Sequence, residues 1–360
     1  MSTQAAAAPG TGVQAPEGGL DAVSDRARRW RPVRWTAVAG WLLLLTVWIW
    51  TRGVPLDRQG LLCWIAGGLL AASIGRRHLA TVVLDWLPLA LALICYDFAR
   101  GASERLGGAT WWTPQIRIDR WLFGGTVPTV WLQAHLKDHT PRWWDTGVSL
   151  TYTSFFLVPY VLAAVLWLRS RADFRRWVMR YVTLCFLAVA SFLLFPAAPP
   201  WAAARCTAEQ VADHPSYPPC LFSTQGNAFS AFATPSGGLL GRFTPSHTGA
   251  APYVERISGR GFGQLHLPVA KAMLDEGQSA VDLVAAVPSL HAGVSLLAVL
   301  FLWPRLAWYG RVIGVGYVLT MGFALVYSGE HYVFDLLVGW SMAAGVMLGF
   351  RALDRRRALG

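Results

Sequence analysis

Apolar positions gather into eight runs along the chain, roughly 35–51, 59–75, 79–97, 146–168, 177–197, 283–303, 307–327 and 331–350. An α-helix rises about 1.5 Å per residue and needs about 20 apolar residues to cross the hydrocarbon core of a bilayer. The pattern therefore predicts an all-α polytopic membrane protein of about eight transmembrane helices, of which the second is short. An even number of spans puts both ends of the chain on one side. Residues 1 to about 25 are rich in Ala, Gly and Pro with no apolar period, which predicts a disordered tail. The Arg cluster that follows (Arg26, Arg28, Arg29, Arg31, Arg34) precedes the first run. No small-residue cleavage site comes after that run and further runs do, so it reads as a retained span rather than a signal peptide.

The basic residues orient these spans. One side takes the N-terminal cluster, Arg76, Arg77, Arg169, Arg171, Arg175, Arg176, Arg180, Arg305, Arg311, Arg351, Arg355, Arg356 and Arg357, which is 18 of the 31 Lys and Arg residues, crowded into short segments. That side is expected to be cytoplasmic, with both termini on it, as in an inner (plasma) membrane protein. Two long loops, about 98–145 and 198–282, then lie outside. Within the first, residues 111–136 mix Trp with Arg117, Asp119 and Arg120 and read as an amphipathic segment lying in the interface. The second, rich in Pro and Gly, reads as a cap over a site. The chain shows no internal repeat and no soluble domain.

Composition agrees with this solvent. Hydrophobic residues make up 54% of the chain and charged ones 14%, a balance foreign to soluble domains, and the 19 Trp suit membrane interfaces. A net charge of +11 does not imply nucleic acid as partner, because the charges sit between apolar runs instead of forming one exposed surface. Cys63, Cys95 and Cys185 fall inside apolar runs, where a thiol packs as a small hydrophobe. Cys206 and Cys220 share a polar loop, and whether they pair depends on the compartment that loop faces.

Two segments carry chemistry, since ionisable groups near the membrane core are expensive and need a reason. One is Val287-Pro288-Ser289-Leu290-His291-Ala292-Gly293 at the outer start of the sixth span. The other is Tyr327-Ser328-Gly329-Glu330-His331-Tyr332-Val333-Phe334-Asp335 at the junction of the seventh and eighth. On a helix His331 and Asp335 share a face one turn apart, so the carboxylate can hold one imidazole nitrogen and leave the other as a nucleophile. His291 and His331 are forty residues apart, one trip down and one back across the bilayer, so both end at the same outer face. Taken alone, His-x-x-x-Asp is more often a structural pair at a helix end, and Pro288 with Ser289 is an ordinary helix start. Their conjunction at one membrane depth is much less ordinary.

With these motifs the sequence resembles the type 2 phosphatidic acid phosphatase superfamily, and within it the branch of inositol phosphorylceramide synthases (inositolphosphotransferases). The resemblance rests on Pro288-Ser289-Leu290-His291, on Gly329-Glu330-His331-Tyr332 with Asp335, and on Leu194-Phe195-Pro196-Ala197-Ala198-Pro199-Pro200-Trp201. The run Asp119-Arg120-Trp121-Leu122-Phe123-Gly124 is similar to bacterial members of that branch. It covers about 79–351, which divides the chain into a cytoplasmic tail (1–32), two accessory helices (33–78), a six-helix core formed by the last six spans (79–351) and a basic tail (352–360). The resemblance implies a metal-independent enzyme without cofactor, acting on lipid phosphoesters: His331 attacks phosphorus to form a phosphohistidine, Asp335 orients it, His291 is acid and then base, and Ser289 binds a phosphate oxygen.

Two departures from the phosphatase branch bear on substrate. Ala324 and Leu325 stand where that branch has a Ser-Arg pair before the nucleophilic His, and its Lys and Arg-Pro phosphate motif is absent. Phosphate still needs cationic donors. Arg256 in the long outer loop and Arg100 past the third span are the leading substitutes, ahead of Arg260, Arg120 and Lys271. These departures favour transfer of a phospho-headgroup to an alcohol, sugar or lipid over hydrolysis of a lipid phosphate by water. A metal-dependent hydrolase built on two His and a carboxylate, and a transporter, are the readings from other classes. His135, His139, His214, His247 and His266 are scattered without metal-like spacing.

Overall fold

The computed structural model describes residues 28–52, 58–75, 79–106, 108–221, 237–265 and 284–359. Ten helices of nine residues or more run through these residues: α1 (Arg31–Arg52), α2 (Arg58–Ser73), α3 (Leu79–Leu106), α4 (Pro114–Leu122), α5 (Pro128–Leu136), α6 (Trp143–Arg169), α7 (Arg171–Leu194), α8 (Leu290–Leu302), α9 (Trp308–Tyr327) and α10 (Val333–Leu359). Of these, α1, α3, α6, α7, α9 and α10 contain stretches long and apolar enough to cross a membrane, while α2 and α8 are shorter apolar helices. Large apolar side chains such as Leu43 on α1, Leu84 on α3 and Ile313 on α9 point outward, as expected where lipid replaces water.

The eight predicted runs all become helix, but the sixth begins later than expected. Residues 284–289 of the 283–303 run are not helical, and α8 starts only at Leu290. Pro288 cannot donate a backbone hydrogen bond, and the Ser289 hydroxyl instead caps the helix by accepting from Ala292 N–H at 3.3 Å. The segment before it is extended: Ala286 N–H donates to Ala197 O at 3.0 Å, and Ala198 N–H to Trp111 O at 2.9 Å. The two alanines of the Phe-Pro-Ala-Ala-Pro-Pro-Trp run are fully buried and let three backbones meet at one point, joining the two long loops to the start of α8.

α8 is the central helix, packed by α6, α7, α9 and α10. Val294, Leu297, Ala298 and Phe301 sit in a core shared with Trp177 and Tyr181 of α7 and Val346 and Met347 of α10. α8 meets α10 through glycine. A Cβ on Gly339 would stand 2.3 Å from Ser289 O, and one on Gly293 would stand 3.1 Å from Gly339 O. The missing side chains bring the two motif-bearing helix starts into backbone contact.

Arginines at the short turns and helix ends lie at the opposite end of the bundle from both histidines. Arg305 pairs with Asp173 at 2.7 Å, Arg180 with Asp354 at 2.8 Å, and Arg171 with Asp85. These pairs tie together the α8–α9 turn, the start of α7, the tail of α10 and the start of α3.

The 111–136 stretch is more than an interfacial segment. It folds into α4 and α5, which expose Trp121 and Trp131 but bury Gln115, Asp119 and Gln133 completely. Gln133 donates to Glu255 O and Tyr327 O, both at 2.8 Å, and accepts from Glu255 N–H at 2.9 Å. It clamps the 253–258 segment of the second loop onto the end of α9. Cys206 and Cys220 form a disulfide.

Candidate active site

The end of α9 fixes the first half of the site. Gly329 adopts φ 76°, a left-handed conformation that ends the helix, and the N–H groups of Glu330 and His331 turn back onto Leu325 O at 3.1 and 3.2 Å. The chain then enters α10, with Asp335 in its first turn. His331 Nδ1 lies 3.3 Å from Asp335 Oδ2, the same oxygen that accepts Tyr332 N–H at 2.9 Å. Asp335 is fully buried and His331 nearly so. A carboxylate in this place favours the imidazole tautomer with the proton on Nδ1, which leaves Nε2 with its lone pair.

The second half comes from α8. Ser289 N–H donates to Asp335 O at 3.0 Å, so the two motifs are stitched by backbone. His291, on the first turn of α8, has its ring centroid 6.1 Å from that of His331. The α6 aromatics hold its ring, with Phe155 at 3.9 Å and Tyr152 stacked at 4.7 Å. Among the described residues, His291 Nε2 is buried without a hydrogen-bond partner.

Of the two leading cations, Arg256 lies at the site. Its guanidinium makes a forked contact to Glu330, Nε to Oε1 at 2.9 Å and Nη2 to Oε2 at 3.0 Å, and lies 4.9 Å from the centre of the Trp201 ring. Burial works against its charge, but Glu330 and Tyr152 more than offset this and hold the guanidinium above its ordinary value. Arg100 falls near the end of α3, where side chains lie outside the described residues, as does all of Lys271. Arg260 donates to Asp138 O and Arg120 is exposed. The Ser289 hydroxyl is spent as acceptor on the α8 cap and keeps its own proton to donate.

Two groups escaped the sequence reading as site residues. Asp119 of α4 accepts from Val333 N–H at 3.1 Å and Phe334 N–H at 3.0 Å, capping the helix that carries Asp335. Burial raises its pKa to about 6. Arg205, four residues past Trp201, places its guanidinium 4.9 Å from the Trp201 ring centre, matching Arg256. The resemblance of the Asp119–Gly124 run to related bacterial sequences pointed at the first, and nothing periodic marked the second.

Six long apolar helices make the chain a multi-pass membrane protein, and a buried His-Asp pair with a second His facing it forms a polar centre at one end of its bundle. A family model described as the PAP2 superfamily matches residues 115–349, well over half of the chain, and the chain belongs to that superfamily. A phosphoinositol dihydroceramide synthase of Bacteroides thetaiotaomicron is 25% identical over 203 residues, which cover 55% of this chain and 53% of that protein. The chain thus aligns with about half the length of that relative. No solved structure matches it.

Proposed function

We propose that the protein is a lipid phosphotransferase that moves a phospho-headgroup from a phospholipid donor to an alcohol through a phosphohistidine on His331. The observation that carries this reading is the coupling of His331 Nδ1 to the buried Asp335 carboxylate with the His291 ring 6.1 Å away, a gap that a phosphoryl group can bridge. In the first step His331 Nε2 attacks phosphorus and the bond to the donor's leaving oxygen breaks. Protonated His291 gives that oxygen its proton from Nε2. In the second step neutral His291 takes the proton of the acceptor hydroxyl, whose oxygen attacks the phosphohistidine and frees His331. Asp335 holds the imidazole and balances the positive charge it carries while phosphorylated. Arg256 steadies the phosphate oxygens, with Ser289 as a further donor and Arg100 as an outer cation.

The transferase form is supported by the synthase relative and by Ala324 and Leu325 in place of a Ser-Arg pair. The site is read as extracytoplasmic, with both termini in the cytoplasm. The basic helix ends lie opposite the histidines, and the Cys206–Cys220 disulfide is expected where thiols oxidise. The test is headgroup transfer against phosphate release, measured on purified protein in liposomes with a panel of phospholipids and lipid phosphates. Product that requires an alcohol acceptor and is lost in His331→Ala supports transfer. Free phosphate without an acceptor makes the protein a phosphatase, and full activity in His331→Ala removes the mechanism.

A further inference from the structure

Arg256, Lys137 and Arg205 are buried or nearly so, and among the described residues only the first two are paired with an acid. Arg256 is matched by Glu330 at 2.9 Å, and Lys137 by Glu255 at 2.9 Å. Arg205 is only 6% exposed, yet its one hydrogen bond is a weak 3.5 Å contact from Nη1 to Leu221 O, and among the described residues no carboxylate lies within ion-pair distance of it. Glu255, whose field does reach Arg205, is committed to Lys137. A guanidinium has five N–H donors in a rigid fork, and with one poor acceptor most of those of Arg205 stay open to a ligand.

The surroundings add a second charge. The Arg205 and Arg256 guanidiniums both stand 4.9 Å from the ring centre of Trp201, so two like charges share one indole. Burial, with the field of Arg256 added, pushes the Arg205 guanidinium down to about 10, still charged at neutral pH. The position is anchored: Trp201 N–H donates to Gly329 O at 3.0 Å, one residue before Glu330, and the neighbouring Cys206 is tied to Cys220. The sequence did not single out this residue, because a lone Arg in a long loop has no pattern.

We propose that Arg205, with Arg256 on the shared Trp201 ring, forms the oxyanion subsite for the phosphate of the substrate, Arg205 supplying a buried positive charge that no carboxylate among the described residues balances. Arg256 alone does not serve, because its fork is already closed on Glu330. Arg205 enters as a binding residue for a phosphomonoester or phosphodiester, and its planar fork suits two phosphate oxygens at once. The proposal rests on the phosphoryl-transfer reading for its placement in catalysis, but anion binding can be read without turnover.

The experiment is thermal unfolding of the full chain in detergent, titrated separately with inorganic phosphate and with a short-chain phosphatidylinositol, chloride serving as the control anion. It is run on wild type, His331→Gln, Arg205→Lys and Arg205→Met. Phosphate compounds are expected to protect wild type and His331→Gln alike. Apparent affinity should fall at least 10-fold in Arg205→Met and several-fold in Arg205→Lys, which keeps the charge but loses the fork. Protection by the lipid alone assigns the subsite to an esterified headgroup, and protection by both assigns it to the shared oxyanion. Unchanged affinity in Arg205→Met overturns the proposal, and should that variant not fold, unchanged affinity in Arg205→Lys does the same. Failure of the phosphohistidine reading would show separately, as activity surviving in His331→Gln.

Discussion

Replacing Asp119 tests how the site is held. The Asp119→Ala change leaves the N–H groups of Val333 and Phe334 without their acceptor. Losing a helix-cap acceptor at such half-buried positions costs about 0.5–2 kcal/mol, so two lost bonds predict roughly 1–4 kcal/mol with the carboxyl protonated. The ionised carboxylate is itself disfavoured in the fold, since its folded pKa of about 6 lies above its ordinary 3.8. A carboxyl whose pKa is raised on folding binds its proton more tightly in the native state. Its stabilisation is therefore complete below 3.8 and lost as pH rises through about 6. Between pH 7.5 and pH 5.0 the linkage is about 1.4 kcal/mol in favour of wild type on the acid side. Thermal unfolding in detergent should accordingly show a gap between wild type and Asp119→Ala that is small at pH 7.5 and wider at pH 5.0. Activity should fall further than stability, because His331 and Asp335 flank the turn that Asp119 caps. Displacement on the order of 1 Å costs about 100-fold in rate, so kcat should drop roughly 10- to 100-fold with KM little changed, and Asp119→Asn, keeping one acceptor oxygen, should recover part of it. A pH-independent gap, or a wild-type kcat in folded Asp119→Ala, would refute this reasoning.

Other substitutions probe separate parts. Gly339→Ala places a Cβ at 2.3 Å from Ser289 O, so α8 and α10 must part, and kcat should fall while Gly345→Ala, with open space around it, stays near wild type in the same assay. His291→Ala removes the acid and base and should lower kcat by about 10²- to 10⁴-fold with headgroup binding retained, read by steady-state transfer kinetics. Opening the Cys206–Cys220 link by Cys220→Ser releases a loop closed over 14 residues, which predicts roughly 3 kcal/mol of lost stability and a raised KM through the adjacent Arg205, measured by unfolding and transfer assays. Chelator should leave turnover unchanged, and loss of activity restored by a divalent ion would count against the histidine mechanism.

Much of this architecture was legible from periodic signals. Each apolar run became largely helical, and His331 and Asp335 do meet, although His331 lies two residues before α10 and not on its face as the spacing predicted. The fold and the meeting of His291 with His331 followed from the same arithmetic of rise and thickness. What escaped depends on contacts far apart in sequence. Asp119 caps a helix that starts more than 200 residues later, and no local pattern ties the two. The late start of α8 depends on Ala197 taking up the backbone of Ala286, a pairing invisible in a run that is apolar throughout. Arg256 was legible as a cation but its Glu330 partner was not, and Arg205 differs from a snorkelling arginine only in its burial beside Trp201.

The central claim is that His331 carries the transferred group. Its most direct test is rapid alkaline quench of the wild-type protein after mixing with a donor phospholipid in the absence of any alcohol acceptor, followed by mass spectrometry of the peptide that holds residues 312–351. The account predicts a phospho-headgroup adduct on His331, formed with release of the donor's alcohol, protonated by His291, and persisting because the acceptor for the second step is missing. An adduct on another residue, or transfer that continues in His331→Ala, would contradict it.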